Sequence, residues 1–452
     1  MSKIVLVHLP FCTPASPPYG LANLNSFLHA NNQAETQIID LNLIWHKKKF
    51  PDFQTYCKNG KWDDYSEKIS DYNAFTTELY ASNNKTVVQG GYPELFEEML
   101  TLIMDTKPAV ICFSIVYSSQ AFFCYALLKK LTQFTTVIGG PAVNHRLARL
   151  ATKTLGSEQE LLNFLNGSKP DEMRLHYPIT FEGFPLSEYF SPRPVLPLKT
   201  STTCYHKKCT FCSHFAKVPY HEYPLEQIED TLKVNRNAYF FLIDDMIPSR
   251  RILQLGKLFK KYGIQWACQL RPTKDFTPYV MKELYDAGLR MAMWGVESGS
   301  QRILDLILKG TNVEDIAGVL QGSHDAHIKN VAYIIFGFPT ETKEEFLDTI
   351  SFLKMHKDCI DLVTTSIFGL HKGTPIYNNP ESYDIGNISE EERTVLDPKI
   401  NFIQKKGLTQ KEASKLRYGY RSTLLSINSY PKEMNFFREH MLCNIAKNNS
   451  TK

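Results

Sequence analysis

Apolar and polar segments alternate along the first 165 residues of the chain. KIVLVHL (Lys3–Leu9) is a short apolar run, which is typical of a strand buried on both faces. Three further strands are predicted in TQIIDLN, AVICFSIV and TTVIGGP, with helices in LANLNSFLHAN and QAFFCYALLKKLTQ. Because strands and helices alternate at this spacing, we predict an α/β fold with a parallel, doubly wound (Rossmann-like) sheet over residues 1–168.

The end of this first block is marked by cap residues and then by proline. SEQELLNFLNG is predicted as the last helix, with Ser157 as N-cap and Gly167 just past its end. Residues 45–92 are polar and aromatic and predict mostly helix and loop. Residues 169–195 are rich in proline, which disfavours a regular helix or a central strand, and we interpret them as a linker between domains.

A second alternating series begins at Leu196 and predicts six βα units over residues 196–380. Six units are fewer than a closed eight-unit barrel needs, so we expect a partial (β/α)6 barrel with its functional groups at the carboxyl ends of the strands. Residues 381–452 are polar and are predicted to be mostly helical. The predicted strands are VLPLKTS, AYFFLID, IQWACQLR, MAMWGVES, NVAYIIFGFP and LVTTSIFGL.

Composition narrows the class of protein. The chain has 452 residues, 43% hydrophobic and 22% charged, with a net charge of +4. That charge is too small and too dispersed to predict a nucleic-acid partner, and no apolar stretch is long enough to predict a membrane span. The N-terminal apolar run is short and broken by Pro10, so it predicts a strand rather than a signal peptide. Ten cysteines in a chain of this length are few, and we expect a reducing, cytoplasmic location.

Three of those cysteines are concentrated in one loop. Cys204, Cys209 and Cys212 have the spacing C-x4-C-x2-C and follow the first predicted barrel strand. A structural zinc site or a simple iron–sulfur carrier takes four protein ligands, whereas this loop supplies three. Three thiolates therefore predict a [4Fe–4S] cluster with one iron left open, although a zinc knuckle or a chance grouping remains the plainer alternative.

The loop and the later strand ends resemble those of the radical S-adenosylmethionine (SAM) enzymes. Their usual spacing is C-x3-C-x2-C, so this chain has one extra residue between the first two cysteines. The resemblance implies that Phe211, the aromatic residue before the third cysteine, contacts adenine. The resemblance also implies SAM contacts at the strand ends FLIDD, QLR, WGVES and IFGFPTET, by Asp244, Asp245, Arg271, Glu297, Ser298 and Gly337.

Each of these residues also has a plainer interpretation. Asp244 and Asp245 could cap a helix, and Glu297 could close a turn with a structural hydrogen bond. Arg271 could be a surface or interface charge. Cys268, in the third barrel strand, reads as a buried core residue, but its thiol is also our candidate for a catalytic donor of a hydrogen atom to the substrate radical.

The first block is similar to the cobalamin-binding domain fused to one large class of radical SAM enzymes. The similar segments are SPPYGLANL, IIDLN, ICFSIVYSSQ and IGGP, and they imply a cobalamin site that includes Ser114, Gly139 and Gly140. The two glycines could also simply form a tight turn. Many such domains carry D-x-H-x-x-G, whereas here Asp40 and His46 have a different spacing. The segment before the cysteine loop resembles enzymes that modify ribosomally made peptides.

The resemblance implies cleavage of SAM to a 5′-deoxyadenosyl radical that removes hydrogen from an unactivated carbon. With cobalamin, we expect C-methylation of a peptide or natural-product precursor; without it, epimerisation or cyclisation. The implied partners are the substrate and an electron donor such as flavodoxin or ferredoxin. A non-enzymatic cobalamin- or metal-binding protein is the alternative from a different class.

Overall fold

The computed structural model describes residues 3–32, 35–169, 172–213 and 218–450, which divide into two compact units. The first unit is built on Met1–Val195 and also includes two short segments from later in the chain, Glu226–Arg236 and Glu392–Pro398. The second unit contains Leu196–Leu225, Asn237–Glu391 and Lys399–Lys452.

The first unit contains the predicted parallel sheet. Its five strands lie in the order β2-β1-β3-β4-β5, and every neighbouring pair is parallel. All five residues of β1 are buried, as the apolar run predicts for a central strand covered on both faces. The strands are β1 (Ile4–His8), β2 (Thr36–Asp40), β3 (Val110–Ser114), β4 (Thr135–Gly139) and the short β5 (Lys153–Thr154).

The helices of the first unit cover its sheet, and several of them lie in the polar and aromatic region of residues 45–92. Residues 45–92 contain the end of α2, all of α3 and the long α4. Ser157 caps α8 by accepting a hydrogen bond from the Glu160 backbone N–H, and Gly167 ends it in the left-handed conformation, as predicted. The helices are α1 (Tyr19–Ala30), α2 (Leu41–Lys49), α3 (Pro51–Asn59), α4 (Tyr65–Val88), α5 (Phe96–Met104), α6 (Ala121–Lys130), α7 (His145–Ala148), α8 (Glu158–Asn166) and α9 (Leu225–Asn235).

The proline-rich segment, expected to be a linker, is packed into the first unit. Phe190 is fully buried, and its backbone N–H donates to Pro14 O at 2.8 Å. The Tyr189 hydroxyl donates to Asp40 Oδ2 at 2.7 Å. Residues 170 and 171 of this segment lie outside the described residues. The first unit therefore runs on to Val195 instead of ending near residue 168.

The second unit contains the six predicted barrel strands. They form one sheet in the order β11-β10-β9-β8-β7-β6, and each strand is parallel to its sequence neighbour. This order is that of a barrel opened between its first and last strands. The strands are β6 (Leu196–Leu198), β7 (Tyr239–Leu242), β8 (Gln265–Leu270), β9 (Leu289–Glu297), β10 (Lys329–Phe336) and β11 (Leu362–Ile367).

Helices connect these strands and end in well-formed caps. Thr342 and Glu345 form a capping box at the start of α14. None of the described helices is both long and apolar enough to cross a membrane. The connecting helices are α10 (Ser249–Lys261), α11 (Pro278–Asp286), α12 (Gln301–Ile307), α13 (Val313–Asp325), α14 (Lys343–Met355) and α15 (Pro375–Asn378).

The C-terminal region is helical only in part. It begins with an antiparallel hairpin of β12 (Ile385–Glu391) and β13 (Lys399–Gln404), which the sequence interpretation did not include. Most of the hairpin residues are at least partly exposed, so the strands lack the buried apolar run that identified the others. Three helices follow, α16 (Gln410–Gly419), α17 (Arg421–Ile427) and α18 (Arg438–Ser450).

Candidate functional site

The cysteine loop follows β6 and brings its three thiols close together. All three cysteines are partly exposed, and the backbone N–H of Cys212 donates to Cys209 O at 3.2 Å. Burial raises the pKa of Cys209 to about 11; the Lys309 ammonium opposes that rise, and the Cys204 and Cys212 thiols add to it. None of the chain's ten cysteines, all of which are described, forms a disulfide.

The donor set fits an iron–sulfur cluster. Thiolates are the ligands of [4Fe–4S] centres, and each thiolate binds a different iron, so the three sulfurs need not surround one point. Across the described ranges, no three side chains of His, Cys, Asp or Glu converge to hold a single ion. The backbone N–H of His206 already donates to Cys204 Sγ at 3.4 Å, a contact that suits a thiolate.

A buried ion pair lies beside this loop. Lys309 Nζ donates to Glu297 Oε1 at 2.6 Å, and both side chains are less than 10% exposed. Burial by itself would lower the Lys309 pKa, but the Glu297 carboxylate and the Cys209 thiol raise it above the ordinary value. The ammonium thus places a fixed positive charge near a predicted cluster ligand.

The end of β9 is shaped to hold this pair. Glu297 has a φ of +65°, in the left-handed region that side chains rarely adopt. A Cβ on Gly295 would lie 2.6 Å from Lys309 Nζ and 2.8 Å from Glu297 Oε1, so the pair needs a glycine there. Sequence reasoning singled out Glu297 and missed Lys309, since nothing in ILKGTN signals a buried lysine. The glycine at 310 was the available sign of a tight turn.

Arg271, at the carboxyl end of β8, holds the cysteine loop. Its Nη1 donates to Lys309 O at 2.9 Å, and its Nε and Nη2 donate to the Tyr205 hydroxyl at 3.2 and 3.1 Å. The guanidinium also lies 5.2 Å from the centre of the Tyr205 ring. These contacts occupy much of the Arg271 guanidinium, which was predicted to contact SAM.

Two further predicted SAM contacts, Asp244 and Ser298, are buried and already hydrogen-bonded. Asp244 is 1% exposed and accepts from the backbone N–H and hydroxyl of Thr200 and from the Ser201 hydroxyl at 2.6 Å. Burial raises its pKa to about 6, against those hydrogen bonds. Ser298 accepts from Ser300 N at 3.1 Å. In this structure both residues brace the ends of their strands.

Asp245 and Phe211 are more accessible. Asp245 is half-buried, and its Oδ2 accepts from the Thr203 hydroxyl at 3.3 Å. Phe211 is partly buried and packs against an apolar cluster that includes Ile303, Ile307 and Phe338. Both therefore keep some surface that a ligand can reach, as Arg271 does.

Gly337, at the end of β10, meets a buried glutamate that sequence reasoning did not single out. Its backbone N–H donates to Glu341 Oε2 at 2.5 Å. Glu341 is fully buried, and its Oε1 has no hydrogen-bond partner among the described residues. Burial raises the Glu341 pKa to about 8, against the hydrogen bond from Gly337. The carboxyl group is therefore held mainly neutral at pH 7.

Cys268 lies on β8 and is fully buried. Burial, with a smaller contribution from the Asp244 carboxylate, raises the pKa of its thiol. The thiol therefore keeps its hydrogen at neutral pH, which a hydrogen-atom donor requires. Its assignment as a donor stays a prediction.

In the first unit, the predicted cobalamin contacts lie at the carboxyl edge of the sheet. Ser114 and Gly139 are register partners at the ends of β3 and β4, and His8 is the partner of Ser114 on β1. Gly140 has a φ of +116°, and a Cβ there would lie 2.3 Å from Ile115 O. Only glycine fits this turn, because the Ile115 backbone lies where a side chain would be.

A cleft of about 220 Å³ opens in the first unit at the same edge. It is lined by the loop after β1 (Phe11, Cys12 and Thr13), by Ser119 after β3, and by residues of α2 and α4. The sheet order reverses between β1 and β3, and ligands of doubly wound sheets bind at such a switch point.

The histidine nearest to the D-x-H-x-x-G pattern has a structural role. His46 is 1% exposed, its Nδ1 contacts Asn42 O at 3.0 Å, and burial lowers its pKa to about 3. Asp40 accepts from Leu43 N at the start of α2 and from the Tyr189 hydroxyl. Asp40 therefore ties the start of α2 to Tyr189, while the His46 bond lies within the helix.

Comparison of sequences finds a family match within the second unit. The model of the radical SAM superfamily matches residues 198–353. An uncharacterized methyltransferase of Pyrococcus horikoshii is 26% identical over 250 residues, which are 51% of this chain and 51% of that protein. An uncharacterized protein of Methanocaldococcus jannaschii is 22% identical over 185 residues, 35% of this chain and 56% of that protein. The chain thus spans about half the length of these relatives.

Comparison of structures extends over nearly the whole chain. The cobalamin-dependent radical SAM enzyme OxsB, with aqua-cobalamin and SAM bound, has a TM-score of 0.62 at 14% identity and covers 99% of this chain and 71% of its own. The radical SAM methyltransferase TsrM from Kitasatospora setae, with cobalamin and a [4Fe–4S] cluster bound, has a TM-score of 0.61 at 13% identity, with 94% and 89% covered. Residues 198–353 therefore match the radical SAM superfamily, in a chain that shares its fold with OxsB and TsrM.

Proposed function

We propose that this protein is a cobalamin-dependent radical SAM enzyme that methylates carbon in a peptide or a natural-product precursor. The observation that carries the proposal is the cysteine loop, three neighbouring thiols at the carboxyl end of the first strand of a radical SAM domain. The fold shared with OxsB and TsrM supports the cobalamin part.

Cys204, Cys209 and Cys212 would hold the cluster through their sulfurs and leave one iron to SAM. A [4Fe–4S] cluster supplies one electron at low potential, which cleaves the sulfonium bond of SAM to give a 5′-deoxyadenosyl radical. The chain's own residues bind and orient SAM and the substrate, and they exclude water from the site. Glu297 and Asp245 offer acceptors to the hydroxyl and ammonium groups of SAM, and Phe211 offers an aromatic surface to adenine.

In the first unit, Ser114, Gly139 and Gly140 would line the cobalamin site. Small residues at these strand ends suit the approach of a large ring, and the cleft at the switch point would receive part of the cofactor. Bound cobalamin would carry the methyl group. The substrate class and an electron donor such as flavodoxin or ferredoxin belong to the proposal as well, on family resemblance.

The test is anaerobic reconstitution with iron and sulfide, followed by dithionite and SAM. We expect the absorbance of a [4Fe–4S] cluster, and formation of S-adenosylhomocysteine and 5′-deoxyadenosine once substrate is present. A protein that retains zinc at the cysteines and never consumes SAM would refute the proposal. Titration with hydroxocobalamin, followed by gel filtration and absorbance, separates the methyl-transfer branch from a cobalamin-free epimerase or cyclase.

A further inference from the structure

The four residues between Cys204 and Cys209 are one more than the usual spacing, and one of them, His206, is held from several directions. We propose that His206 is a positioning residue. Its ring is held between Leu308 O, at the end of α12, and the Arg271 guanidinium, an arrangement that we call the clasp, and this fixes the His206 backbone N–H on the Cys204 sulfur. The clasp would thereby set the reduction potential of a cluster held by the loop. The inference rests on the proposed function and deepens it.

Both nitrogens of the His206 ring are engaged. Nε2 lies 2.8 Å from Leu308 O, and a carbonyl oxygen only accepts, so Nε2 carries the hydrogen. Arg271 Nη1 lies 2.9 Å from Nδ1, and a guanidinium only donates, so Nδ1 is an acceptor. The two bonds together define one neutral tautomer, and they fix both the position and the rotation of the ring.

The other side of the loop docks on the same helix end. The backbone N–H of Thr210 donates to Ile307 O at 2.9 Å, and its hydroxyl donates to Leu306 O at 3.2 Å. The last carbonyls of a helix lack partners within the helix. The cysteine loop supplies those donors from both sides of Cys209, through His206 and Thr210, so the end of α12 acts as a template for the loop.

The clasp leaves no room at its centre. A Cβ on Gly310 would lie 2.7 Å from Arg271 Nη1 and 3.0 Å from His206 Cε1, and Gly310 has a φ of +66°. A side chain there would push the guanidinium and the imidazole apart. Gly310 therefore gives a second, independent way to open the clasp without changing any polar group.

The backbone bond links the clasp to the metal chemistry. His206 N lies 3.4 Å from Cys204 Sγ. Hydrogen bonds to the sulfurs of an iron–sulfur centre are among the factors that set its potential, because they stabilise the more negative, reduced state. Loss of the bond should shift the potential to a more negative value and make the cluster harder to reduce.

The experiment compares His206→Ala, His206→Gln and Gly310→Ala with the wild type, and uses His221→Ala, an exposed histidine of the same unit, as the matched control. Redox titration followed by electron paramagnetic resonance gives the cluster potential. We expect a more negative potential in His206→Ala and Gly310→Ala, partial recovery in His206→Gln, and no shift in His221→Ala. His206 is neutral in the clasp, so its removal changes no charge.

A second measurement uses the protein before cluster loading. Iodoacetamide reacts with the thiolate, which the His206 N–H stabilises, so labelling of Cys204, followed by mass spectrometry, should be several-fold slower in His206→Ala and Gly310→Ala than in the wild type. Thermal unfolding checks that each variant is folded. If His206→Ala and Gly310→Ala both kept the wild-type reduction potential and labelling rate, this inference would be overturned and the proposed function would stand. Failure of the wild type to take up a cluster would overturn the proposed function, and this inference with it.

Discussion

The carboxyl edges of the two parallel sheets differ in how they are built. In the second unit the strand ends carry ionisable side chains that are buried and bonded to one another or to the backbone, as in the Glu297–Lys309 pair and Asp244. In the first unit His8, Ser114 and Gly139 lie in register at the corresponding edge, and the Asp40 carboxylate at the end of β2 is bonded to Leu43 N and to the Tyr189 hydroxyl. Burial lowers the pKa of His8, and the Asp40 carboxylate opposes that shift.

The difference indicates two kinds of ligand. A charged edge with fixed partners suits a small, highly charged ligand whose ionic groups must be held in place, as SAM and a cluster require. An edge with small residues at the ends of β3 and β4 suits a large ligand that approaches the backbone over an area. The following predictions separate the two edges by changing one at a time.

The largest effect is expected for the cysteine loop. Cys209→Ala should abolish cluster binding and SAM cleavage, because the remaining two thiolates cannot hold the cluster. Iron analysis and 5′-deoxyadenosine formation measure this. Cys359→Ala, at a buried cysteine of the second unit outside the loop, should keep both, and cobalamin binding should survive in both variants. A Cys209→Ala protein with a full cluster would remove that residue from the ligand set.

The Glu297–Lys309 pair should dominate the stability of the charged edge. Lys309→Met leaves a buried carboxylate without its partner and should lower the free energy of unfolding by about 3–5 kcal/mol. Glu297→Gln with Lys309→Met should recover much of this loss, because no unpaired charge remains. Denaturant unfolding of the single and double variants tests the coupling. Purely additive effects would mean that the two residues act independently.

Glu341 predicts a pH dependence. Its pKa is about 8 in the folded protein, against an ordinary value of 4.5, so between these values the folded state keeps a proton that the unfolded state has lost. Stability should therefore fall as pH rises through this window, by at most about 1.4 kcal/mol per pH unit. Unfolding midpoints from pH 5 to pH 8 measure the slope, and Glu341→Gln should flatten it. An unchanged slope in that variant would assign it to other groups.

The smallest expected effect lies in the first unit. Gly140→Ala places a Cβ against Ile115 O at a φ of +116° and should cost about 1–3 kcal/mol. Gly167→Ala is the matched control, since Gly167 also has a positive φ but nothing within 4 Å of its Cβ position, so its cost is conformational alone. Cobalamin titration should weaken in Gly140→Ala and not in the control. Equal binding by both variants would remove Gly140 from the site.

The sequence predicted those parts of the molecule that depend on short-range patterns. Apolar runs in the sequence mark all six strands of the second sheet and four of the five strands of the first. The order of the strands within each sheet follows from the parallel connections between them. The hairpin of β12 and β13 escaped because its mostly exposed residues carry no such run. The helix α9 has an ordinary amphipathic pattern, which cannot tell which unit it joins.

The candidate site was predicted by residue type more than by role. The cysteine spacing and the strand-end acids are visible in the sequence, but partner choice depends on tertiary contacts. Asp244 and Arg271 were expected to meet SAM, and both are bonded to segments around the cysteine loop. Lys309 and Glu341 were missed because burial of a single charged residue leaves no local pattern.

The two late segments of the first unit bear on how the chain is synthesised. The backbone N–H groups of Ile179 and Phe181 donate to Thr231 and Asn235 of α9, and Asn144 donates to Val395 O. A ribosome makes residues 1–195 well before residues 392–398, so the nascent first unit at first lacks both segments and the hydrogen-bond partners that they supply. Truncation at residue 195, the obvious place to cut, would leave it permanently in that state.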